Sequence, residues 1–161
     1  MKFLKTLHLS CLVLGVSFSS YGQLQPNEAS AIETAWASGQ RLANTIVPLK
    51  RGFDTKTPFE SLSTDAAGVA RASTKQWERI EVHLPPAVAA DLTVCMMVGS
   101  KCQQLPVGAS FDKKNSILYW HVPNAYKGDF DLVFLQPGSR AGCVRITAGS
   151  DVVTNLRGWG K

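Results

Sequence analysis

Between Ile117 and Thr147 the chain reads ILYWHVPNAYKGDFDLVFLQPGSRAGCVRIT, in which three runs of alternating apolar residues are separated by turn formers. Alternation at every second residue places successive side chains on opposite faces of a strand, whereas a helix needs apolar residues three and four apart. Leu118, Trp120 and Val122 therefore share one face, and Ile117, Tyr119 and His121 share the other. Phe130, Leu132 and Phe134 repeat the pattern, and Val144 and Ile146 repeat it again between Cys143, Arg145 and Thr147. Gln136-Pro137-Gly138-Ser139 supplies the turn between the second and third runs, because proline presets φ and glycine takes positive φ freely. Three consecutive strands follow, forming a hairpin edge with one wet face.

The start of the chain has a different character. Lys2 and Lys5 precede a largely apolar, uncharged run from Thr6 to Phe18, and Ser20-Tyr21-Gly22 places small residues at the two positions a signal peptidase reads. The run is shorter than the roughly 20 residues a membrane-spanning helix needs. Residues 1–22 are thus expected to be a cleaved signal peptide, giving a secreted or periplasmic protein that begins at Gln23, with no membrane span after cleavage. Lys2 and Lys5 supply two of the five net positive charges, which leaves a mild +3 for residues 23–161. The basic residues are scattered and do not interleave with aromatics, so a nucleic-acid partner is excluded.

Pro26 to Ser38 is the helix candidate, with Asn27 as cap, Glu28 and Glu33 toward the positive end of its dipole, Ala29, Ile32 and Trp36 on one stripe, and Gly39 as a stop. Leu42 to Ala72 reads as loop with one or two short strands. Within it Thr45-Ile46-Val47 is confined to an edge by Pro48. Arg79 to Leu84 alternates as a half-buried strand ended by Pro85-Pro86. Leu92, Val94, Met96 and Val98 alternate next, and Gly99-Ser100 turns the chain back through Cys102 to Leu105.

Four segments carry a resemblance: Leu105-Pro106-Val107-Gly108-Ala109-Ser110-Phe111-Asp112; Ile117-Leu118-Tyr119-Trp120 with Pro123; Gly128 to Phe134; and Val144-Arg145-Ile146-Thr147. Together, over about residues 79–148, they resemble the immunoglobulin-like and cadherin-like modules of secreted bacterial proteins. Those modules have Thr-Gly where this chain has Asn115-Ser116, and Tyr where it has Phe130. The resemblance implies a mainly β fold, an immunoglobulin-like antiparallel β-sandwich with one short N-terminal helix, and a role in adhesion, ligand display or spacing. Asp129 and Asp131 are only two carboxylates, fewer than a calcium site uses. The expected organisation is a signal peptide (1–22), an N-terminal helix with loops and edge strands (23–75), the sandwich core (76–150) and a C-terminal tail (151–161).

No nucleophile-elbow glycines, His-Glu-x-x-His helix or phosphate-cradling loop is present, so no enzyme and no cofactor are expected. Cys95, Met96, Met97, Cys102 and Cys143, with His83 or His121, would make a soft-metal donor set only if they converged. An oxidising compartment favours a disulfide instead. Cys95 and Cys102 fall on the same face of the proposed hairpin, opposite or diagonal according to the turn, which leaves Cys143 as a free or intermolecular thiol.

The expected function is an exported, non-enzymatic binding or structural module with a protein or surface glycan partner. The alternatives are a small inhibitor or chaperone-like partner using loops such as Gln136 to Gly142, and a soft-metal-binding protein. Tyr119, His121, Val133 and Leu135, with Ile117, form the candidate binding patch, being unusually apolar for residues that alternate outward; the N-terminal helix or the Leu42 to Leu49 segment is the alternative cover for it. N-terminal sequencing of exported material should give Gln23 as its first residue, and an intact Met1 would contradict the signal reading.

Overall fold

The computed structural model describes residues 24–85, 92–136 and 140–149. The expected signal segment, the residues Pro137 to Ser139 of the expected turn and the 151–161 tail lie outside the described residues. One helix, α1 (Pro26–Ala37), precedes ten strands: β1 (Ile46–Arg51), β2 (Glu60–Ser63), β3 (Val69–Thr74), β4 (Arg79–His83), β5 (Thr93–Val98), β6 (Lys101–Gln103), β7 (Ala109–Asp112), β8 (Ile117–His121), β9 (Gly128–Gln136) and β10 (Arg140–Ala148). They form two five-stranded sheets, a first sheet of order β2-β1-β4-β8-β7 and a second of order β3-β10-β9-β5-β6.

The alternating runs are strands, but they do not stay together. β9 and β10 pair antiparallel along their whole length, and both lie inside the second sheet, not at its edge. β8 belongs to the first sheet, between β4 and β7. Pro123 follows β8 closely, and a turn closed by the Tyr126 N–H on the Pro123 carbonyl (3.1 Å) separates β8 from β9. The segment read as mostly loop holds three strands. β1 is interior, flanked by β2 and β4, yet Pro48 still limits it: the β4 ladder covers only Leu49 to Arg51, where N–H groups are available. β3 runs parallel to β10, so the second sheet is mixed and not purely antiparallel.

The two sheets face each other across one apolar core. The first contributes Val47, Leu49, Ile80, Val82, Leu118 and Trp120; the second contributes Val94, Leu132, Phe134, Val144 and Ile146. Each large side chain so buried contributes about 1.5–3 kcal/mol. Trp120 is fully buried with its polar end satisfied, Nε1 donating to the Val107 carbonyl at 3.1 Å, and its ring meets Phe130 edge-on at 5.2 Å. In the β7–β8 turn the Asp112 carboxylate accepts from the Lys114 and Asn115 N–H groups at 3.0 and 3.2 Å. Ser116, not Asn115, takes the left-handed conformation there (φ +55°).

A second apolar cluster lies outside the sandwiched core. α1 covers the outer face of the second sheet, burying Ile32 and Ala35 against Val69, Cys95, Met97, Val133, Ala141 and Cys143. The helix starts one residue before the expected cap. Pro26 occupies its first turn, and the Glu28 carboxylate reaches back to the Gln25 N–H at 3.0 Å, so Gln25 and not Asn27 is the cap.

Gly142 marks the tightest place in the core, because an added Cβ would fall within contact distance of the fully buried Phe134 ring. Gly142→Ala should therefore destabilise the protein by about 1–3 kcal/mol, the range for overpacking, seen as a lower denaturant midpoint. An unchanged midpoint would show that the ring gives way freely.

Candidate binding face

The two outer faces have opposite fates. On the second sheet α1 is anchored by apolar contact and by charge: Glu33 accepts from Lys101 Nζ at 3.0 Å and from the Cys102 N–H at 2.9 Å, while Glu28 meets Lys113 at 3.2 Å. Val133 is fully buried beneath the helix and Leu135 is partly buried at the same contact. The expected wet patch is therefore split. Val133 and Leu135 sit on one side of the molecule under α1, whereas Ile117, Tyr119 and His121 sit on the outer face of the other sheet.

The three cysteines among the described residues lie on the covered face. Cys95 and Cys102 form a disulfide, with Cα atoms 5.7 Å apart. The turn is Gly99-Ser100 and Met97 stands opposite Cys102, so the bridge is diagonal. Cys143 is a free thiol but not a surface group: it is fully buried next to Val133 in register, two strands from Cys95. Burial first, and the neighbouring Asp131 carboxylate second, push its pKa up to about 12. Asp131 is held in a bidentate pair with Arg145 at 2.6 and 2.8 Å. His83 and His121 lie on the outer face of the first sheet, so imidazoles and sulfurs do not converge, and among the described residues no cluster of three His, Cys, Asp or Glu side chains is placed to hold a metal.

Among the described residues no helix lies over the first sheet. Register sets Arg79 beside His121, Glu81 beside Tyr119, and His83 beside Ile117, with Lys50 of β1 on the other side of Glu81. Aromatic rings stand at both ends of this strip. At one end Phe53 and Trp77 lie edge-on to His121, each with its ring centre 6.0 Å away, and the Arg79 guanidinium is 5.1 Å from the rings of both Phe53 and Tyr119. At the other end Phe59 meets His83 edge-on at 4.7 Å. Between them Arg79 pairs with Glu81 at 3.0 Å. Phe53, Phe59 and Trp77 are 67, 51 and 65 % exposed, unusual for rings of this size.

Trp77 carries a further mark. Its φ is +63°, a left-handed conformation that costs a bulky residue about 1–2 kcal/mol and that glycine would adopt without strain. The turn is nevertheless fixed. The Trp77 backbone N–H donates to the Val122 carbonyl at 2.8 Å, and the Glu78 carboxylate accepts from the Lys75 N–H at 2.9 Å and the Thr74 hydroxyl at 2.8 Å.

Of the residues the sequence singled out, Tyr119 and His121 belong to this face. Phe53, Phe59, Trp77 and Arg79 were missed because three of them lie outside alternating runs. The available signal was a large aromatic in a polar connection: Phe53 after Arg51-Gly52, and Trp77 between Gln76 and Glu78. Compared with known proteins, the chain matches no family model and no curated sequence.

The anchoring of α1 sets a pH limit. The Gln25 N–H foremost, with Lys113, holds the Glu28 carboxyl below its ordinary value of 4.5, and Lys101 with the Cys102 N–H does the same for Glu33. Groups whose pKa is depressed on folding stabilise above their unfolded pKa, and that contribution is lost as pH falls through the folded value. The helix should loosen below pH about 4, exposing Cys143 to dithiodipyridine, a reagent that reads thiols in acid. At neutral pH the thiol of the chain lacking residues 1–22 should react only after unfolding. Rapid reaction at neutral pH would contradict the docked helix.

Proposed function

We propose that this chain is an exported, non-enzymatic binding module of the immunoglobulin-like class, and that it works through the open outer face of the first sheet. Strand order supports the class. Immunoglobulin sandwiches set strands A, B, E and D against G, F, C and C′; β1-β4-β8-β7 and β10-β9-β5-β6 follow the same two orders in chain sequence, with β2 added antiparallel to β1 and β3 added parallel to β10. Export is supported by the signal-like start and by the Cys95–Cys102 disulfide. The disulfide joins neighbouring strands of one sheet, so it does not tie the two sheets to each other.

The observation that carries the binding reading is Trp77: a mostly exposed ring on a left-handed backbone, in a turn that hydrogen bonds hold in place. The core gains nothing from that ring, and the backbone loses by it. Strain kept at an exposed aromatic is the mark of a contact residue. Tyr119 and His121 join it on the same face, and Val133 and Leu135 are left to the helix.

Phe53→Ala and Trp77→Ala should each weaken retention on the envelope fraction of the source cells by about 2 kcal/mol, roughly thirtyfold, as hot-spot truncations do. Their thermal transitions should stay within the ±0.5 kcal/mol or so typical of surface changes. Unchanged retention in both would remove this face from the function. A purified turnover lost on changing His83 or His121 would overturn the non-enzymatic reading.

A further inference from the structure

Resting on that reading, we infer that the ligand of the open face is an uncharged, linear glycan lying along β4 and β8, with sugar rings stacked at both aromatic ends and hydroxyls held by the band between. The spacing of the two ends argues for a chain. Arg79 and His83 are four residues apart on β4, a rise of about 13 Å, so the Phe53–Trp77–His121 and Phe59–His83 clusters cannot both contact one small ring. The band between the clusters argues for hydroxyls. Glu81 offers an acceptor, while Arg79, Lys50 and Tyr119 offer donors, and all four sit on the same row or the next. Sugars bearing only equatorial substituents present C–H groups on both ring faces, which suit aromatic stacking, and hydroxyls around the rim, which suit mixed donors and acceptors.

Charge separates this occupant from its rivals. An anionic chain such as a nucleic acid or a uronic-acid polymer would meet the Glu81 carboxylate at the centre of the strip, where the Arg79 charge is balanced by Glu81 at 3.0 Å and Lys50 is the one further cation in that row. A protein interface depletes charge at its core and keeps it for the rim. Here Glu81 and Lys50 lie in the middle row beside Tyr119, and the exposed rings of Phe53, Trp77 and Phe59 stand at the ends.

Titration calorimetry of the full exported chain with cellohexaose and chitohexaose, with polygalacturonate as the anionic control, tests the assignment. At least one hexamer should bind, and its disaccharide, able to reach one end only, should bind about tenfold more weakly or worse. Trp77→Ala and Phe59→Ala, at opposite ends, should each lower hexamer affinity about tenfold with the melting transition unchanged. Equal affinity for disaccharide and hexamer, loss at one end only, or tighter binding of polygalacturonate would each overturn the inference. If neither hexamer binds while Trp77-dependent retention on the envelope fraction persists, the glycan is wrong and the binding reading stands; if retention is also lost, both fall.

Discussion

Ile32 and Ala35 press α1 onto Val133, Cys143 and Met97, and this contact decides the character of both sheets. With the helix in place the second sheet is buried on two sides, and burial runs on without a break from Thr93 to Cys95 in β5 and from Ala141 to Val144 in β10. The first sheet is left with one wet face, and its central strands β4 and β8 alternate cleanly. Glu33 completes the docking by bonding Lys101 and the Cys102 N–H, so the short hairpin closed by the disulfide also fixes the helix. The free thiol of Cys143 is sealed beneath the same contact.

A second network serves the open side. Arg51 reaches from β1 to Glu60 at 2.5 Å, to the Ser73 carbonyl at 2.7 Å and to Glu78 at 3.2 Å, while Glu78 in turn holds the turn that carries Trp77. Hydrogen bonds to a charged group contribute about 1.5–3 kcal/mol each, enough to offset the 1–2 kcal/mol or so that a left-handed tryptophan costs. The arrangement is that of a rigid presenting turn: polar groups behind, an aromatic ring in front.

Much of the strand content was legible because alternation is a local property. Ile117 to His121, Arg79 to His83 and the β9–β10 hairpin announce themselves, as does the helix that Gly39 ends. Partner choice is not local. Nothing in the alternation of β8 says that it pairs with β4 and not β9, and nothing in Val69 to Thr74 says that it runs parallel to β10. Tyr119 and Val133 look alike in sequence, each an apolar residue opposite a core stripe, yet one faces open surface and the other faces α1. Only the helix position distinguishes them, and that depends on Ile32 meeting a sheet formed by residues a hundred positions later. Trp77, on which the binding proposal rests, sits in a connection where period-two reading has nothing to register.

One outer face is sealed by α1 and, among the described residues, the other is open; hydroxyl-radical footprinting of the chain lacking residues 1–22 tests this most directly. Phe53, Phe59 and Trp77 should be oxidised rapidly in the native state, with Met97 and Cys143 protected until the protein unfolds. Rapid oxidation of Met97 and Cys143, with Trp77 and Phe53 protected, would place the cover on the wrong sheet and contradict the account.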